Sequence, residues 1–266
     1  MLIVSCGVFQ KIFRADFPCE FRFLEGLCGS GLKILVTGGF RAGKSSVVKA
    51  LSSGDSINIE KHGTTVALDY GKTDVSGLTI HLFGTPGLKH FRVLREILSK
   101  GADGVLFVVD SADERRDEEA LTVWREVKEF LPGVVCVVMA NKQDIDGARR
   151  PEEVREALGI PGDVPVVGTS AVTGLNVSLS LRRLLALLVK KAAPILSVLD
   201  AYDGEVGGIS RFSEKMGFNL SSTRKVLNWL ELRGYLDVDW RTEVFWLSPA
   251  IKTILKSPDM LLRGSA

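Results

Sequence analysis

The sequence predicts an α/β protein with a mostly parallel six-stranded sheet, helices on both faces of that sheet, and a small α+β domain after it. Two observations carry this prediction. From Leu32 onward, short apolar runs alternate with amphipathic runs of helical period, which is typical of a parallel sheet. After Pro194 this alternation stops, and three short helical runs precede a hairpin pattern.

The first domain is predicted to span residues 32–193. Six runs have the length and the β-branched content of strands, at 32–37, 64–70, 78–83, 104–110, 134–140 and 164–168. Ser76-Gly77 between the second and third runs is a hairpin signal. Helices are predicted at 46–51, 91–99, 113–131, 151–158 and 175–193, with Pro151 in the first position of the fourth.

Pro194 marks the predicted start of a second domain, 194–266. Its predicted elements are helices at 195–202, 209–216 and 221–233 and strands at 235–239 and 243–247. Residues 1–31 form a predicted N-terminal extension. The sequence leaves open whether this extension is an added strand, a packed arm or an over-extended translation start.

Composition excludes several functional classes. The chain is 45% hydrophobic and 25% charged, as expected for a globular protein with a proper core. Its formal charge of +2 predicts no strong general attraction to nucleic acid or to anionic membranes. No apolar run is long enough to predict a membrane span, and no cysteine pair has the spacing of a zinc site. A cytoplasmic location is therefore expected.

A phosphate-binding loop follows the first strand. Gly38 to Ser45 fits G-x-x-x-x-G-K-[ST] at every fixed position, and the strand before it and helix after it are the context this loop requires. This predicts the fold class of a P-loop NTPase. Backbone N–H groups would face the phosphates, Lys44 would reach the outer phosphates, and Ser45 would ligate Mg²⁺. The residues predicted to contact nucleotide here are Gly38, Gly39, Phe40, Arg41, Ala42, Gly43, Lys44, Ser45 and Ser46.

A second motif predicts that the base is guanine. Asn141-Lys142-Gln143-Asp144 follows a buried strand, and the Asp144 carboxylate can accept hydrogen bonds from the guanine N1–H and 2-amino group, which adenine does not offer. Asn141 would tie this loop to the phosphate loop, and the Lys142 stem can cover the base. Ser170 and Ala171, after the last strand, are predicted to place a backbone N–H on the guanine O6.

With these motifs, residues 32 to about 192 resemble a Ras-superfamily small GTPase, a G domain. The run 104–113 is similar to the Arf-like branch, whereas 64–71 and 82–87 look more like the MglA-type GTPases of bacteria and archaea. The resemblance implies binding of GTP and GDP with Mg²⁺, slow hydrolysis of GTP, and a protein effector or activator. By the pattern of the family, Thr65 ligates Mg²⁺ in the GTP form and the Gly87 N–H senses the γ-phosphate.

Two positions depart from that family pattern. Gly84 stands where an aspartate near Mg²⁺ is usual, and pairing the hairpin about Ser76-Gly77 places Asp69 opposite Gly84. We therefore expect Asp69 to supply the missing carboxylate, the alternative being a polar hairpin residue and weak Mg²⁺ binding. Leu88 stands where a water-orienting glutamine is common, which predicts slow hydrolysis. Arg41 is the candidate charge stabiliser, the alternative being a solvated loop arginine.

The second domain resembles a winged helix. The third of its helices begins with polar residues suited to a groove, and Arg241 lies in the wing. Its equal numbers of acidic and basic residues leave protein and nucleic acid open as partners. The leading hypothesis is a GTP-binding switch, and the alternatives are a nucleotide-gated DNA-binding regulator and a constitutively GTP-bound scaffold.

Overall fold

Residues 30–52, 57–59, 68–257 and 261 are described by the structure, a computed structural model. The predicted extension, apart from its last two residues, lies outside the described residues. So do residues 64–67 of the second predicted strand.

In the described part of the chain, seven strands form one sheet. They are β1 (Leu32–Gly38), β2 (Ile57–Ile59), β3 (Leu68–Val75), β4 (Leu78–Gly84), β5 (Gly104–Asp110), β6 (Val135–Asn141) and β7 (Val166–Gly168). The strand order is β2-β3-β4-β1-β5-β6-β7. The pairs β1/β4, β1/β5, β5/β6 and β6/β7 are parallel, whereas β2/β3 is antiparallel.

The mostly parallel sheet of an α/β fold is confirmed, but the count of six strands is wrong. The additional strand is β2, and its three residues are too few to show a hydrophobic period. The strand predicted at 64–70 extends to Val75, because Gly71 and Val75 are buried while Lys72 and Asp74 between them are exposed. It ends at the Ser76-Gly77 turn, where both φ angles are positive, as a two-residue hairpin turn requires.

Helices connect these strands. Within the described residues they are α1 (Lys44–Leu51), α2 (Arg92–Ser99), α3 (Asp117–Phe130), α4 (Pro151–Ala157) and α5 (Val177–Asp200). Helix α1 packs against β1 and β3, α3 against β1 and β5, and α4 against β7. Single 3₁₀ turns precede α2 and α3, at Lys89–Phe91 and Glu114–Arg116.

Parallel strands bring polar residues together at one edge of the sheet. All seven residues of β5 are buried, as expected for a central strand. The register pairs Gly38 of β1 with Val108 of β5, and Asp110 of β5 with Asn141 of β6. The carboxyl ends of three neighbouring strands therefore meet where α/β folds bind their ligands.

Helix α5 corrects the prediction that Pro194 ends one helix and begins another. The helix is continuous from Val177 to Asp200, with Pro194 inside it. A proline costs one backbone hydrogen bond in a helix interior. Here the apolar spacing continues on both sides of it, and the residues buried along this stretch are Leu188, Val189, Ala192, Ile195, Leu196 and Leu199. Their burial offsets the loss, so the helix does not stop.

The chain divides into two compact units. One contains the described residues of Leu32–Val75 and Ile80–Leu188, together with Leu261. The other contains Ser30, Gly31, Ser76–Thr79 and the described residues from 189 onward, except Leu261. The division falls inside α5, five residues before Pro194.

The second unit contains three further helices and a two-stranded sheet among its described residues. They are α6 (Gly208–Met216), α7 (Leu220–Leu232), β8 (Leu236–Asp239), β9 (Val244–Leu247) and α8 (Pro249–Lys256). Strands β8 and β9 pair antiparallel, and Phe212, Leu227, Tyr235 and Phe245 are buried in the core. Helix α8 was not foreseen, although Ser248-Pro249 is a helix-start signal: Ser248 accepts a hydrogen bond from the Ile251 N–H.

Candidate nucleotide-binding site

The loop at residues 38–45 has a backbone that only glycine can adopt at two positions. Gly38 has φ +147°, and a Cβ there would lie 2.0 Å from the Val108 carbonyl oxygen of β5. Gly43 has φ +98°, and a Cβ there would lie 2.4 Å from Asn141 Nδ2. Gly43 also precedes the first residue of α1. The loop thus closes tightly against β5 and β6 and leads directly into a helix N-terminus, the geometry of an anion site.

Lys44 is buried at the start of α1. Its Nζ donates a hydrogen bond to the Gly39 carbonyl oxygen at 2.6 Å. Burial, together with the positive charge of Arg95, lowers the pKa of this lysine to about 8, although the carboxylates of Asp69 and Glu119 act in the opposite direction. A buried ammonium group with few partners is well suited to bind an anion, because the anion restores the charge stabilisation that burial removed.

Phe40 and Arg41 lie on the outer side of the loop. Arg41 is exposed, has φ +57°, and holds its guanidinium 5.3 Å from the centre of the Phe40 ring. Arg116 approaches the same ring at 5.8 Å. Two guanidinium groups therefore flank the aromatic residue of the phosphate loop.

Asn141 braces three segments of the site. Its Nδ2 donates to the Ala42 carbonyl oxygen at 2.9 Å, which links the end of β6 to the phosphate loop. Its Oδ1 accepts from the Ala171 N–H at 3.0 Å and from Thr169 Oγ1 at 3.3 Å. The Ala171 N–H, which is predicted to contact guanine O6, thus donates to Asn141 in this structure. Ser170 is buried, and its Oγ accepts from the Thr173 N–H.

Lys142 and Asp144 lie beside Asn141 in the same loop. Lys142 Nζ forms an ion pair of 2.6 Å with Asp110, a buried carboxylate at the end of β5. Asp110 was not predicted as a site residue, although it ends the buried run 104–110 with a charged side chain; the register places it beside Asn141. The Asp144 side chain is exposed, so its carboxylate is accessible to a ligand.

Asp69 reaches the phosphate loop from β3. Its Oδ2 accepts a hydrogen bond of 2.5 Å from Ser45 Oγ. A Cβ added at Gly84 would lie 2.8 Å from Asp69 Cβ and 3.1 Å from Asp69 Oδ2. The structure therefore brings together Ser45, Asp69 and Gly84, and a side chain at position 84 would displace the carboxylate. Thr65, the other predicted metal ligand, lies outside the described residues.

The loop at residues 84–88 closes over the phosphate loop at Gly87. A Cβ there would lie 2.7 Å from Lys44 Nζ, 2.7 Å from Phe40 Cα and 2.8 Å from the Gly39 carbonyl oxygen. Thr85 anchors this loop, since its Oγ1 donates to Thr37 Oγ1 and its N–H to the Val36 carbonyl. The Leu88 side chain is partly exposed.

Arg95 of α2 donates hydrogen bonds to the 84–88 loop, and the sequence did not predict it as a site residue. It is 3% exposed and forms a bidentate ion pair with Glu126 of α3, at 2.7 Å from Nε and 3.0 Å from Nη2. Its Nη1 donates to the carbonyl oxygens of Pro86, at 3.1 Å, and Leu88, at 2.7 Å. A buried arginine within an amphipathic helix gave no signal, because its partner is 31 residues away in the sequence.

Across the described segments of the chain, no cluster of three or more His, Cys, Asp or Glu residues is arranged to hold a metal ion. Within the same segments, every helix is too short or too polar to cross a membrane.

Comparison with known proteins identifies the family of this chain. The ADP-ribosylation factor family matches residues 22–188. An uncharacterised protein of Methanocaldococcus jannaschii is 33% identical over 43% of this chain and 74% of its own length. ADP-ribosylation factor-like protein 1 of Drosophila melanogaster is 32% identical over 52% of this chain and 77% of its own. ADP-ribosylation factor-like protein 2 of the same organism is 30% identical over 60% of this chain and 89% of its own length.

Proposed function

Because this chain belongs to the ADP-ribosylation factor family of small GTPases, we propose that it is a GTP-binding molecular switch that hydrolyses GTP slowly to GDP. The observation that carries this proposal is the brace at Asn141, which joins a glycine-closed phosphate loop to the loop that contains Asp144. The two loops that are proposed to recognise phosphate and base are thereby joined at one edge of the sheet.

Phosphate binding is assigned to residues 38–46. Backbone N–H groups of the loop and of the α1 N-terminus would bind the phosphate oxygens, and the Lys44 ammonium would neutralise the outer phosphates. The Gly87 N–H would report the γ-phosphate, which is supported by its approach to Lys44. This contact is lost when GTP becomes GDP, so the 84–88 loop is the proposed switch.

Mg²⁺ fits the oxygen donors that meet at Ser45. A hydroxyl and a carboxylate bonded to one another are the hard donors that this ion prefers. Ser45, Asp69 and, by family resemblance, Thr65 would hold it directly or through water, and it would neutralise charge between the β- and γ-phosphates. Asp69 would thus replace the carboxylate that Gly84 lacks.

Guanine recognition is assigned to Asp144, with Lys142 covering the base and Ser170 and Ala171 beside it. The exposed Asp144 carboxylate accepts from N1–H and the 2-amino group, which selects GTP over ATP. The ion pair with Asp110 supports this role, since it holds the Lys142 chain in place without engaging Asp144.

Hydrolysis is expected to be slow because Leu88 carries no group that can orient water. Arg41 is the proposed charge stabiliser, because its side chain is exposed on the loop that is proposed to bind the phosphates. A protein activator that supplies the missing water-orienting group would then set the lifetime of the GTP form.

The second unit is proposed to be a winged-helix domain that receives the nucleotide signal or passes it to a protein partner. We assign the domains as 32–193 and 194–266, with 1–31 as an extension. The sequence of elements α6, α7, β8 and β9 supports this assignment, with β8 and β9 as the wing.

A specific observation also favours the alternative of nucleotide-gated DNA binding. Arg224 and Lys225 are exposed on α7, and the Arg224 guanidinium lies 5.5 Å from the centre of the Trp240 ring in the wing turn. The wing carboxylates have other partners: Asp239 accepts from the Arg241 N–H and Thr242 Oγ1, and Glu243 accepts from Ser210 Oγ. The observation that favours DNA is therefore the exposed basic pair on α7 beside the wing turn, the position from which a recognition helix would meet a phosphate backbone.

The proposed function is tested by measuring single-turnover hydrolysis of bound GTP with Mg²⁺. We expect less than half of the GTP to be consumed in about an hour, since a small GTPase that has the glutamine turns over at roughly 4 × 10⁻⁴ s⁻¹ unaided. Leu88→Gln should accelerate the reaction, whereas Leu88→Asn, whose amide is one methylene shorter, should not. Turnover within minutes in the wild type would contradict the slow switch. GTP that survives purification and long incubation would favour a constitutively loaded scaffold.

Base selectivity is tested by competition of GTP, XTP and ATP for the full chain. Asp144→Asn should transfer the preference toward xanthine, whose 2-carbonyl accepts a hydrogen bond from the new amide. Asp146→Asn, an exposed aspartate two residues further along, is the matched control and should leave selectivity unchanged. Equal binding of ATP and GTP by the wild type would contradict the proposal.

For the DNA-binding alternative, salt-dependent binding to a duplex should differ between the GDP and GTP forms.

A further inference from the structure

The ion pair between Arg95 and Glu126 lies outside every motif that defines the nucleotide site, yet it is bonded to the 84–88 loop. Arg95 belongs to α2 and Glu126 to α3, and both side chains are almost fully buried. Leu35, Val123, Val127 and Phe130 line the small cavity beside the pair. In such apolar surroundings a charge-assisted hydrogen bond is stronger than it is in water.

The pair orients one edge of the planar guanidinium toward the loop. Glu126 accepts from Nε and Nη2, which fixes the plane of the arginine fork. The remaining terminal nitrogen, Nη1, donates to the Pro86 and Leu88 carbonyl oxygens. These two carbonyls stand on either side of Gly87, so a single guanidinium holds both flanks of the glycine.

The bond to Pro86 has a consequence for the Gly87 N–H. The Pro86 C=O and the Gly87 N–H belong to one planar trans peptide unit, so they point in opposite directions. A carbonyl drawn toward Arg95 therefore turns the Gly87 N–H away from Arg95. On its other side, Gly87 is packed against Phe40, Gly39 and Lys44 of the phosphate loop.

We infer that Arg95, held by Glu126, is a positioning residue that aims the Gly87 N–H at the γ-phosphate and so sets the preference of the protein for GTP over GDP. This inference rests on the proposed function. The γ-phosphate then meets an N–H that Arg95 has already oriented, so less of the binding free energy of GTP is spent on ordering the loop. GDP lacks that phosphate and gains nothing from the arrangement.

The test is the ratio of affinities for a non-hydrolysable GTP analogue and for GDP, measured by calorimetry on the full chain. The main variant is the double substitution Arg95→Met with Glu126→Leu, since replacing both partners of a buried pair with apolar residues preserves folding better than removing one. We expect affinity for the GTP analogue to fall about tenfold, the equivalent of one charge-assisted hydrogen bond, and affinity for GDP to be unchanged. Arg95→Lys keeps the positive charge but not the planar guanidinium. Its affinity for the GTP analogue should therefore lie between those of the wild type and the double variant.

The matched control is Arg92→Met with Glu129→Leu. Arg92 and Glu129 form another Arg–Glu ion pair between α2 and α3, at 2.6 Å, but they are exposed. This double variant should leave the ratio of affinities unchanged. The inference is overturned if the Arg95 and Glu126 double variant keeps the wild-type ratio, or if it loses affinity for both nucleotides alike. If the wild type itself binds neither nucleotide, the proposed function fails, which is a separate outcome.

Discussion

At the scale of single residues, the site depends on side chains that reach it from outside the sequence motifs. Asp69 comes from β3 to Ser45, Asp110 from β5 to Lys142, and Arg95 from α2 to the 84–88 loop. Each of these charged side chains forms a hydrogen bond that fixes the position of a motif residue or of the loop beside it. Two testable predictions belong to this scale, one for the pair Asp69 and Gly84 and one for Lys44.

Moving the carboxylate from position 69 to position 84 tests the proposed source of the carboxylate near Mg²⁺. Asp69→Ala should raise the Mg²⁺ concentration needed to retain nucleotide by about tenfold or more, the usual loss when a carboxylate that supports a metal site is removed. Adding Gly84→Asp to Asp69→Ala should restore much of the Mg²⁺ dependence, because the vacated space accepts the new side chain. Nucleotide release measured against Mg²⁺ concentration reports both effects.

Two controls complete this exchange. Gly84→Asp alone should be destabilising, since its Cβ would lie 2.8 Å from Asp69 Cβ. Asp74→Ala removes an exposed carboxylate from the same strand and should leave the Mg²⁺ dependence unchanged. Wild-type Mg²⁺ dependence in Asp69→Ala would show that this carboxylate has no part in metal binding.

The lowered pKa of Lys44 predicts that nucleotide binding weakens in alkaline solution. Burial brings the pKa to about 8 in the free protein, and a bound phosphate raises it, so binding takes up a proton above that pH. GDP affinity should therefore be flat below about pH 7 and fall above about pH 8, by up to about tenfold per pH unit.

Calorimetry from about pH 6.5 to about pH 9 measures this dependence. Lys44→Arg is the control: arginine stays charged throughout this range, so it should bind more weakly but with a flatter pH profile. This control also separates the lysine from the guanine N1–H, which loses its proton in alkali. A wild-type profile parallel to that of Lys44→Arg would contradict the prediction.

At the scale of elements, α5 is the feature that differs most from expectation. A proline is a reasonable helix boundary in a sequence, yet the buried side chains of this helix continue at helical spacing past Pro194. Packing of an apolar face contributes more to helix stability in proteins than intrinsic propensity does. The helix therefore carries an unfavourable residue in its interior.

Pro194→Ala should consequently stabilise the protein. Proline costs about 3 kcal/mol relative to alanine in a helix interior, and part of this is returned because proline also restricts the unfolded chain. We expect the free energy of unfolding in urea to rise by about 2 kcal/mol.

Pro249→Ala is the matched control, since Pro249 occupies the first position of α8, where proline is well tolerated. Its effect should be within about 0.5 kcal/mol of zero or slightly destabilising. If Pro194→Ala proved neutral or destabilising, a break in α5 at Pro194 would explain it better than a continuous helix.

At the scale of the whole molecule, the chain consists of two compact units that share α5. The four tryptophans of the sequence are divided between these units. Trp124 lies in the first, and Trp229, Trp240 and Trp246 lie in the second. Fluorescence can therefore follow the two units separately in the intact chain.

We expect guanine nucleotide to stabilise both units if the second one receives the nucleotide signal. GDP with Mg²⁺ at about 100 times its dissociation constant should stabilise the first unit by about 2.7 kcal/mol. In Trp124→Phe the fluorescence comes from the second unit alone, and its transition should also move to higher temperature. A second unit that melts at the same temperature with and without nucleotide would contradict the relay. ATP at the same concentration is the control and should move neither transition.

The alternation of apolar and amphipathic runs was sufficient to predict the α/β class, because buried strands and helices have different periods. The motif at residues 38–45 and the motif at residues 141–144 were equally recognisable, since binding of phosphate and of a base requires particular residues at fixed spacing. Even the approach of Asp69 to Gly84 followed from counting residues back from the Ser76-Gly77 turn. These features are local, or need only a simple pairing rule.

Other features were decided by tertiary contacts alone. The short strand β2 depends on pairing with β3, and the continuity of α5 through Pro194 depends on burial of its apolar face. The hold of Arg95 and Glu126 on the 84–88 loop joins residues that are far apart in the sequence and carry no motif. The sequence by itself determined the class of fold and predicted the residues that are proposed to bind nucleotide. Only the packed chain decided which charges hold those residues in place, because a buried ion pair is defined by its surroundings rather than by its neighbours in sequence.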